Sequence, residues 1–206
     1  MALKDVGNKV PIYKLKTTNE VMKYYDEWGE QNKYNKDMVE WNYTGPQETV
    51  EVFKKYELNK DSLIFDAGCG TGLVGIELKK YSYDFTLDGI DVSEKMIEKA
   101  QAKQIYNKIF NIDLHKEDFK EEQKYNFIIS SGVFLEGHVN FDVINKLYKI
   151  LEKDGIIIVT IRNSYKDKNK ETFDSYFKNN SNFKSALLSK IDYLKDVECS
   201  LVVLLN

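Results

Sequence analysis

The chain has 206 residues, of which 42% are hydrophobic and 31% are charged, and its formal net charge is −3. This balance excludes a disordered polypeptide, and the longest apolar runs are far shorter than the ~20 residues that span a bilayer. Arg162 is the only arginine in the chain. Nucleic acid is therefore disfavoured as a partner, because the guanidinium fork is the group best suited to gripping phosphates.

The two cysteines, Cys69 and Cys199, are too few for a disulfide framework or for a structural zinc site. We therefore expect no metal and a reducing compartment. The N-terminal residues lack the apolar core of a secretory signal. These features predict a cytoplasmic protein that does not bind membranes.

Residues 1–60 are polar, aromatic-rich and helical in pattern, and they are predicted to form an N-terminal helical cap on the core, residues 61–206, within one structural domain. Thr17 and Thr18 are candidate N-caps of a helix that runs through Trp28. Pro46 suits the first turn of another helix, which is expected to end near Glu57.

From residue 61 onward, short β-rich runs alternate with amphipathic helical stretches, the pattern of βαβ units and a parallel sheet. The predicted strands are Leu63–Asp66, Phe85–Asp91, Lys108–Ile112, Tyr125–Ser130 and Ile156–Ile161. The predicted helices are Leu73–Lys80, Glu94–Lys103 and Asp142–Glu152, the last ended by a turn at Lys153–Gly155.

The last two predicted strands are Lys190–Leu194 and Cys199–Leu205. Their connection is too short for a parallel crossover, so they must pair antiparallel. The expected fold is α/β and doubly wound, with a Rossmann-like, mostly parallel seven-stranded sheet and an antiparallel edge strand.

The glycine-rich segment DAGCGTGLVG follows the first predicted strand, where open α/β sheets bind their ligands. Gly70, Gly72 and Gly75 match the dinucleotide fingerprint, which by itself allows an NAD-binding oxidoreductase. Asp66 argues against a pyrophosphate, because a carboxylate just before the glycines suits a positively charged ligand. S-adenosylmethionine (SAM) carries an ammonium and a sulfonium, and the segment resembles motif I of the class I SAM-dependent methyltransferases.

The next two strand ends carry further candidate cofactor-binding residues. Asp91 is placed to accept both ribose hydroxyls, and Val92 can pack on the adenine. In the methyltransferases an acidic residue that reads the adenine stands where this chain has Asp118, followed by Phe119. Ser130, at the end of the fourth strand, completes this part of the predicted site.

The segment after the fourth strand is predicted to contact the methyl acceptor. It contains no proline, which disfavours the base and amide N-methyltransferases, and neither cysteine is placed for carbon methylation of cytosine. His138 is the candidate general base or substrate-orienting residue, because a histidine with a pKa near ~6.5 accepts a proton at neutral pH. Phe134 and Glu136 are candidate substrate contacts.

The aromatic residues of the N-terminal part are the other candidates for the acceptor site. Tyr25, Trp28 and Tyr43 are predicted to line it, and Tyr25 is also a candidate catalytic residue. Aromatic faces stabilise cations and exclude water.

Five segments together are similar to the methyltransferases related to the Williams–Beuren syndrome critical region 27 protein: a Tyr-Asp-x-Trp element, DAGCGTGLVGIEL, GIDVSEKMIEKA, GVFLEGHV and KILEKDGIIIVTIRNS. The resemblance covers roughly residues 24–163. It implies the class I fold, SAM as cofactor with S-adenosylhomocysteine (SAH) as product, and a set of cofactor contacts. Those contacts are Asp66, Gly68, Gly70, Asp91, Asp118 and the loop Gly137–Val139.

The resemblance does not fix the methyl acceptor. With only a helical cap added to a minimal core, a small molecule with an N, O or S nucleophile is the expected substrate. Two alternatives stay open, an NAD-binding oxidoreductase and a non-catalytic SAM-binding protein. The sequence does not decide between a monomer and a homodimer.

Overall fold

The computed structural model describes residues 14–56, 61–81, 84–116, 123–194 and 197–206. Seven strands form one sheet in the order β3-β2-β1-β4-β5-β7-β6. The strands are β1 (Ser62–Ala67), β2 (Phe85–Asp91), β3 (Lys108–Asn111), β4 (Tyr125–Phe134), β5 (Leu151–Arg162), β6 (Ser185–Leu194) and β7 (Val197–Leu205).

The first five strands pair in parallel, and β7 pairs antiparallel with both β5 and β6. The predicted mixed, seven-stranded, doubly wound sheet is confirmed. The reversed strand β7 lies inside the edge, and β6 is the outermost strand. The carboxyl ends of β1 to β5 therefore meet along one edge of the sheet.

Eight α-helices lie in the described parts of the chain. They are α1 (Thr18–Gly29), α2 (Lys33–Glu40), α3 (Gly45–Phe53), α4 (Leu73–Lys79), α5 (Glu94–Gln101), α6 (Val143–Lys149), α7 (Asn163–Lys168) and α8 (Lys170–Phe173). A π-helical turn, Asp174–Lys178, follows α8. None of the described helices is long and apolar enough to cross a membrane.

Apolar side chains cover both faces of the sheet, because neighbouring residues of a strand point to opposite faces. Ile64 and Ile129 pack in one core cluster, whereas Phe65 and Ile128 pack in the other. This double burial explains why the central strands are continuous apolar runs.

Helix α1 begins with a capping box. Thr17 Oγ1 accepts the backbone N–H of Glu20, and the Glu20 carboxylate accepts the backbone N–H of Thr17. The predicted N-cap is confirmed, and this reciprocal pair satisfies amide groups that would otherwise lack partners.

Helices α1 and α2 differ from α3 in what they cover. The Asp26 carboxylate of α1 accepts the hydroxyl of Ser93 at 2.6 Å, which ties α1 to the start of α5. Val50 and Phe53 of α3, each 1% exposed, pack in a core cluster of the sheet. The predicted boundary at residue 60 places α3 in the helical cap. In the structure, α3 packs as part of the core.

Several predicted element boundaries were wrong. The predicted helix Asp142–Glu152 ends at Lys149, because Leu151 already pairs with Tyr125 in the sheet. The predicted turn lies within β5 as an irregularity, with Asp154 at φ 61°. Strand β4 continues past Ser130 to Phe134.

Strand β6 begins five residues before the predicted Lys190, at Ser185. Its first half is exposed on the outer edge of the sheet, so that half lacks the buried apolar pattern by which a strand is recognised.

Candidate functional site

A cleft opens at the carboxyl ends of the parallel strands. Six of the predicted site residues line it: Gly68, Gly70, Asp91, Val92, Tyr25 and His138. The structure therefore brings together residues from the ends of three strands and from the N-terminal helices.

The glycine loop forms the floor of this cleft. Gly68 has φ +85°, and a Cβ there would lie 2.3 Å from the Val133 side chain, so only glycine fits. Gly70 has φ +52° and no neighbour within 4 Å of an added Cβ. Since Gly70 also lines the cleft, its missing side chain leaves room for a ligand to approach the backbone.

Asp91 ends β2 and fixes the loop from the other side. Its Oδ2 accepts the Gly70 N–H at 2.8 Å, and its Oδ1 accepts the Ser93 N–H at 2.9 Å. Burial raises the pKa of this carboxyl group, and the backbone hydrogen bonds oppose that rise. Each oxygen retains a second lone pair, so the group can still accept two ligand hydroxyls.

Asp66 lies beneath the cleft rather than on its wall. It is fully buried, its Oδ2 accepts the Tyr106 hydroxyl at 2.7 Å, and its Oδ1 has no hydrogen-bond partner among the described residues. Burial raises the pKa of Asp66 to about 7. A buried carboxylate with one unused oxygen is stabilised by positive charge nearby, which fits a cationic ligand on the loop above it.

The third strand end supplies a different acidic residue from the predicted one. Asp118 and Phe119 lie outside the described residues. Asp113 lines the cleft, its Oδ1 accepts the His115 N–H at 2.9 Å, and its carboxylate pairs with Lys116 at 3.1 Å. Sequence reasoning missed Asp113, although it is the first acidic residue after the predicted third strand.

Ser130 and Phe134 do not reach the cleft. The Ser130 hydroxyl donates to the Ala67 carbonyl at 2.7 Å, and the residue is fully buried between β4 and β1. Phe134 is 1% exposed and packs against Phe141 and other rings of the core. The neighbouring residue Ser131 lines the cleft instead, because β4 continues and alternate side chains face opposite sides.

His138 and Tyr25 form a hydrogen-bonded pair on the cleft wall. His138 Nδ1 lies 3.2 Å from the Glu136 carbonyl oxygen, which can only accept, so Nδ1 carries the hydrogen. The other ring nitrogen, Nε2, therefore accepts the Tyr25 hydroxyl at 2.8 Å. Burial lowers the pKa of His138 to about 4, so the ring is neutral at pH 7.

The loop that carries His138 is held from two sides. The Nε2–H of His115 donates to the His138 carbonyl at 2.6 Å, and the Tyr165 hydroxyl donates to the Val139 carbonyl at 3.0 Å. Gly137 turns the chain with φ +81°. These contacts fix the imidazole relative to the cleft.

A second cavity of about 490 Å³ lies next to the cleft, and we call it the aromatic chamber. It shares Tyr25, Tyr34 and Gly132 with the cleft, and the predicted Trp28 and Tyr43 line it too. The remaining rings in its lining are Trp41 and Tyr193.

Hydrogen bonds anchor two of these rings. The Trp28 indole N–H donates to Asp37 at 2.7 Å, and the Tyr43 hydroxyl lies 3.0 Å from Ser131 Oγ. Burial raises the pKa of Tyr43 to about 12, so its hydroxyl keeps its proton at neutral pH.

The predicted substrate contact Glu136 lies behind the chamber rather than in its lining. Its Oε2 is 3.8 Å from Arg162 Nη1. In the described parts of the chain, no group of three or more His, Cys, Asp or Glu side chains is arranged to hold a metal ion.

The strand order, the glycine loop after β1 and the acidic residue at the end of β2 together define the class I methyltransferase fold. A family model described as a methyltransferase domain matches residues 58–197, which is more than half of the chain. The chain belongs to this methyltransferase-domain family. The predicted methyltransferase family and its class I fold are confirmed, and neither finding supports the dinucleotide-binding oxidoreductase.

Individual relatives agree with this assignment, and the predicted family resemblance is confirmed. Human Methyltransferase-like protein 27 is 28% identical over 159 residues, covering 73% of this chain and 63% of that protein. The carboxy-S-adenosyl-L-methionine synthase of Campylobacter fetus is 28% identical over 133 residues, covering 61% of this chain and 55% of that protein. The chain thus spans less than two thirds of the length of either relative.

Solved structures share the fold. Magnesium protoporphyrin IX methyltransferase from Synechocystis PCC 6803, with bound SAH, superposes with a TM-score of 0.66 at 16% identity. The match covers 92% of this chain and 100% of that one.

Proposed function

We propose that the protein transfers the methyl group of SAM to a nitrogen, oxygen or sulfur atom of a small molecule. The observation that carries the proposal is the position of Tyr25, which lines both the cleft and the aromatic chamber and is hydrogen-bonded to His138. A cofactor in the cleft and an acceptor in the chamber would meet at this pair.

Residues at different positions around the cleft would contact different parts of SAM. The backbone at Gly68 and Gly70 would pass beneath the methionine part, with the negative charge of Asp66 below it. Asp91 would accept the ribose hydroxyls, and Val92 and Asp113 would border the adenine. Asp118 and Phe119 keep their predicted role at the adenine as part of this proposal.

In SAM, the methyl carbon to be transferred is bonded to a sulfonium sulfur. The lone pair of the acceptor would form a new bond to that carbon, and the sulfur would keep the electron pair of the carbon–sulfur bond that breaks. The protein must hold the two reactants in line and remove a proton where the nucleophile carries one. The acceptor proton would pass to the Tyr25 oxygen as the Tyr25 hydroxyl proton passes to His138 Nε2. The neutral imidazole can accept that proton, and its lowered pKa makes it a weaker base than an exposed histidine.

The aromatic and apolar lining of the chamber supports a small acceptor. Helices α1 and α2 supply Tyr25, Trp28, Tyr34 and Met38 to its lining. We therefore include in the proposal that these two helices are the cap that closes the site over its substrate. Magnesium protoporphyrin IX methyltransferase, which is named for a small-molecule substrate, shares the fold.

We also keep a cytoplasmic location and the absence of a nucleic-acid partner within the proposal. Both cysteines are free and buried, and the side chain of the single arginine, Arg162, is largely buried. Neither observation favours an oxidising compartment or a phosphate-binding face.

The proposal is tested in two steps with purified protein. Calorimetric titration should show SAM binding at micromolar concentration and no NAD binding. Candidate acceptors are then screened for SAH release, with Tyr25→Phe as the comparison, since this variant keeps the ring but loses the hydroxyl. SAM binding without SAH release from any amine, hydroxyl or thiol in a broad metabolite panel would contradict transfer to a small molecule.

A further inference from the structure

Tyr106 links the loop after α5 to the carboxylate beneath the cleft. The residue lies between α5 and β3, and its hydroxyl donates to Asp66 Oδ2 at 2.7 Å. Burial and the nearby charge of Asp66 hold the pKa of Tyr106 well above its ordinary value. The phenol therefore keeps its proton at neutral pH and always acts as a donor to Asp66.

The ring of Tyr106 occupies space left by three glycines. An added Cβ would lie 2.9 Å from the ring at Gly75, 3.0 Å at Gly89 and 3.1 Å at Gly72. These distances are shorter than the ~3.5–4.0 Å of an ordinary contact between carbon atoms, so a side chain at these positions would push against the ring. Gly75, the third glycine that matches the dinucleotide fingerprint, is thus explained by the Tyr106 ring rather than by a ligand.

The titratable groups around Asp66 supply no positive charge within the described parts of the chain. Those that interact with its charge are Asp91, Cys69, Tyr43 and Tyr106. Burial raises the pKa of the Cys69 thiol and of the Tyr43 hydroxyl, so both are neutral at pH 7. Burial and the like charge of Asp91 raise the pKa of Asp66, and the Tyr106 hydrogen bond lowers it. Tyr106 is therefore the neighbour that favours the ionised carboxylate.

The two oxygens of Asp66 differ in their contacts. Oδ2 accepts the Tyr106 hydroxyl, whereas Oδ1 has no hydrogen-bond partner among the described residues. Burying a carboxylate without compensation is costly, and a hydrogen bond to the charged form is stronger than one between neutral groups. The bond from Tyr106 therefore both supports the charge of Asp66 and orients the group, so that Oδ1 is the oxygen that a cation can satisfy.

We propose that Tyr106 is a positioning residue for the cofactor: its hydroxyl holds Asp66 oriented and ionised beneath the glycine loop, so that the cleft attracts the positively charged part of SAM at neutral pH. Tyr106 is not among the described residues that line the cleft, so it acts on SAM through Asp66. The inference deepens the proposed function and rests on it, since it takes Asp66 as the counter-charge of SAM.

The test compares Tyr106→Phe, which keeps the ring and loses the hydroxyl, with the unaltered protein. Tyr125→Phe is the matched control, because the Tyr125 hydroxyl donates to a different buried carboxylate of the sheet, Asp88 Oδ2, at 3.0 Å. Each protein is titrated calorimetrically with SAM between about pH 5.5 and about pH 9, a range that brackets the pKa of Asp66. The control ligand is 5′-methylthioadenosine, which carries neither the ammonium nor the sulfonium.

In the unaltered protein and in Tyr125→Phe, SAM affinity should fall on acidification with a midpoint near pH 7. Tyr106→Phe should raise this midpoint by about 1–2 pH units, because a hydrogen bond favours the charged form about 10- to 100-fold. SAM binding at pH 7 should then weaken about 5- to 50-fold and recover towards pH 9. Affinity for 5′-methylthioadenosine should stay within about twofold at every pH.

Two further measurements separate the hydroxyl from a general effect on structure. Carbon-13 NMR of the Asp66 carboxyl group should show the same rise of the midpoint in the SAM-free Tyr106→Phe protein. In an Asp66→Asn background, adding Tyr106→Phe should leave SAM affinity unchanged, because the two residues act as one pair.

The assignment is overturned if Tyr106→Phe leaves the midpoint in place, or if Tyr125→Phe moves it as far. It is also overturned if Tyr106→Phe weakens 5′-methylthioadenosine as much as SAM, since the hydroxyl would then support only the structure of the loop. Failure of the proposed function looks different: the unaltered protein would bind SAM at no pH, or would bind SAM and transfer its methyl group to no acceptor.

Discussion

Asp91→Ala is expected to weaken SAM binding by at least about 100-fold. The Asp91 carboxylate accepts the Gly70 and Ser93 N–H groups at 2.8 and 2.9 Å, and each oxygen keeps one lone pair for a ribose hydroxyl. A hydrogen bond to a charged group is worth about 1.5–3 kcal/mol. Losing two such bonds removes about 3–6 kcal/mol of binding, or about 100- to 10,000-fold in Kd.

The same substitution also leaves two backbone N–H groups without their partner, so stability must be separated from binding. Asp88 is the matched control. It lies on the same strand, is 5% exposed, and accepts Asn107 Nδ2 at 2.9 Å and the Tyr125 hydroxyl at 3.0 Å. Asp88→Ala should lower the thermal midpoint as Asp91→Ala does, yet leave the Kd for SAM within about threefold.

Calorimetric titration with SAM and a thermal melt of each variant measure the two effects. The reasoning is wrong if Asp91→Ala binds SAM as tightly as the unaltered protein. It is equally wrong if Asp88→Ala weakens binding as much as Asp91→Ala, since the effect would then come from loss of structure at β2.

Four further predictions concern Asp66, His138 and the glycine loop. The raised pKa of Asp66 is about 7, so a cationic ligand that needs the ionised carboxylate should bind about tenfold more weakly at pH 6 than at pH 8. Titration of the protein with SAM in both buffers checks this expectation. The Asp66→Asn variant should bind SAM equally at both pH values. His138→Gln should lower turnover by about 100-fold or more with SAM affinity unchanged; an equal fall in affinity would make His138 structural. The pKa of His138 in the folded protein is about 4, below its ordinary value of 6.5. The contribution of the neutral imidazole to the free energy of unfolding is therefore fully present above pH 6.5 and is lost as the pH falls towards 4. Thermal melts should show a smaller fall in stability over this range for His138→Gln. Gly68→Ala should destabilise the fold strongly, because the new Cβ would lie 2.3 Å from the Val133 side chain. Gly70→Ala should lower the free energy of unfolding by only about 1–2 kcal/mol, because of its positive φ, and should weaken SAM binding. Equal melting temperatures of the two variants would contradict the contact between Gly68 and Val133.

The cofactor side of the site could be predicted because its signals are local. Gly70 lies in the loop after β1 and Asp91 is the last residue of β2, and in a parallel sheet those strand ends meet at one edge. His138 was found in the same way after the fourth strand. Each of these three residues lines the cleft.

Errors arose where a strand continued past its predicted end. The extension of β4 past Ser130 buries that hydroxyl and turns Ser131 to the cleft. The same extension leaves Phe134 in the core. A strand has a side-chain period of two, so only one of two neighbouring residues such as Ser130 and Ser131 faces the cleft, and the predicted strand end did not show which one.

The sequence by itself determined the doubly wound sheet, the methyltransferase family and the glycine loop that lines the cleft, because all three depend on residues adjacent in the chain. Only the tertiary structure decided that the Tyr25 hydroxyl meets His138, 113 positions further along, and that Arg162 faces the rings of the N-terminal helices. Such contacts depend on how α1 and α2 pack across the carboxyl edge of the sheet, and no spacing or periodicity within either segment encodes that packing.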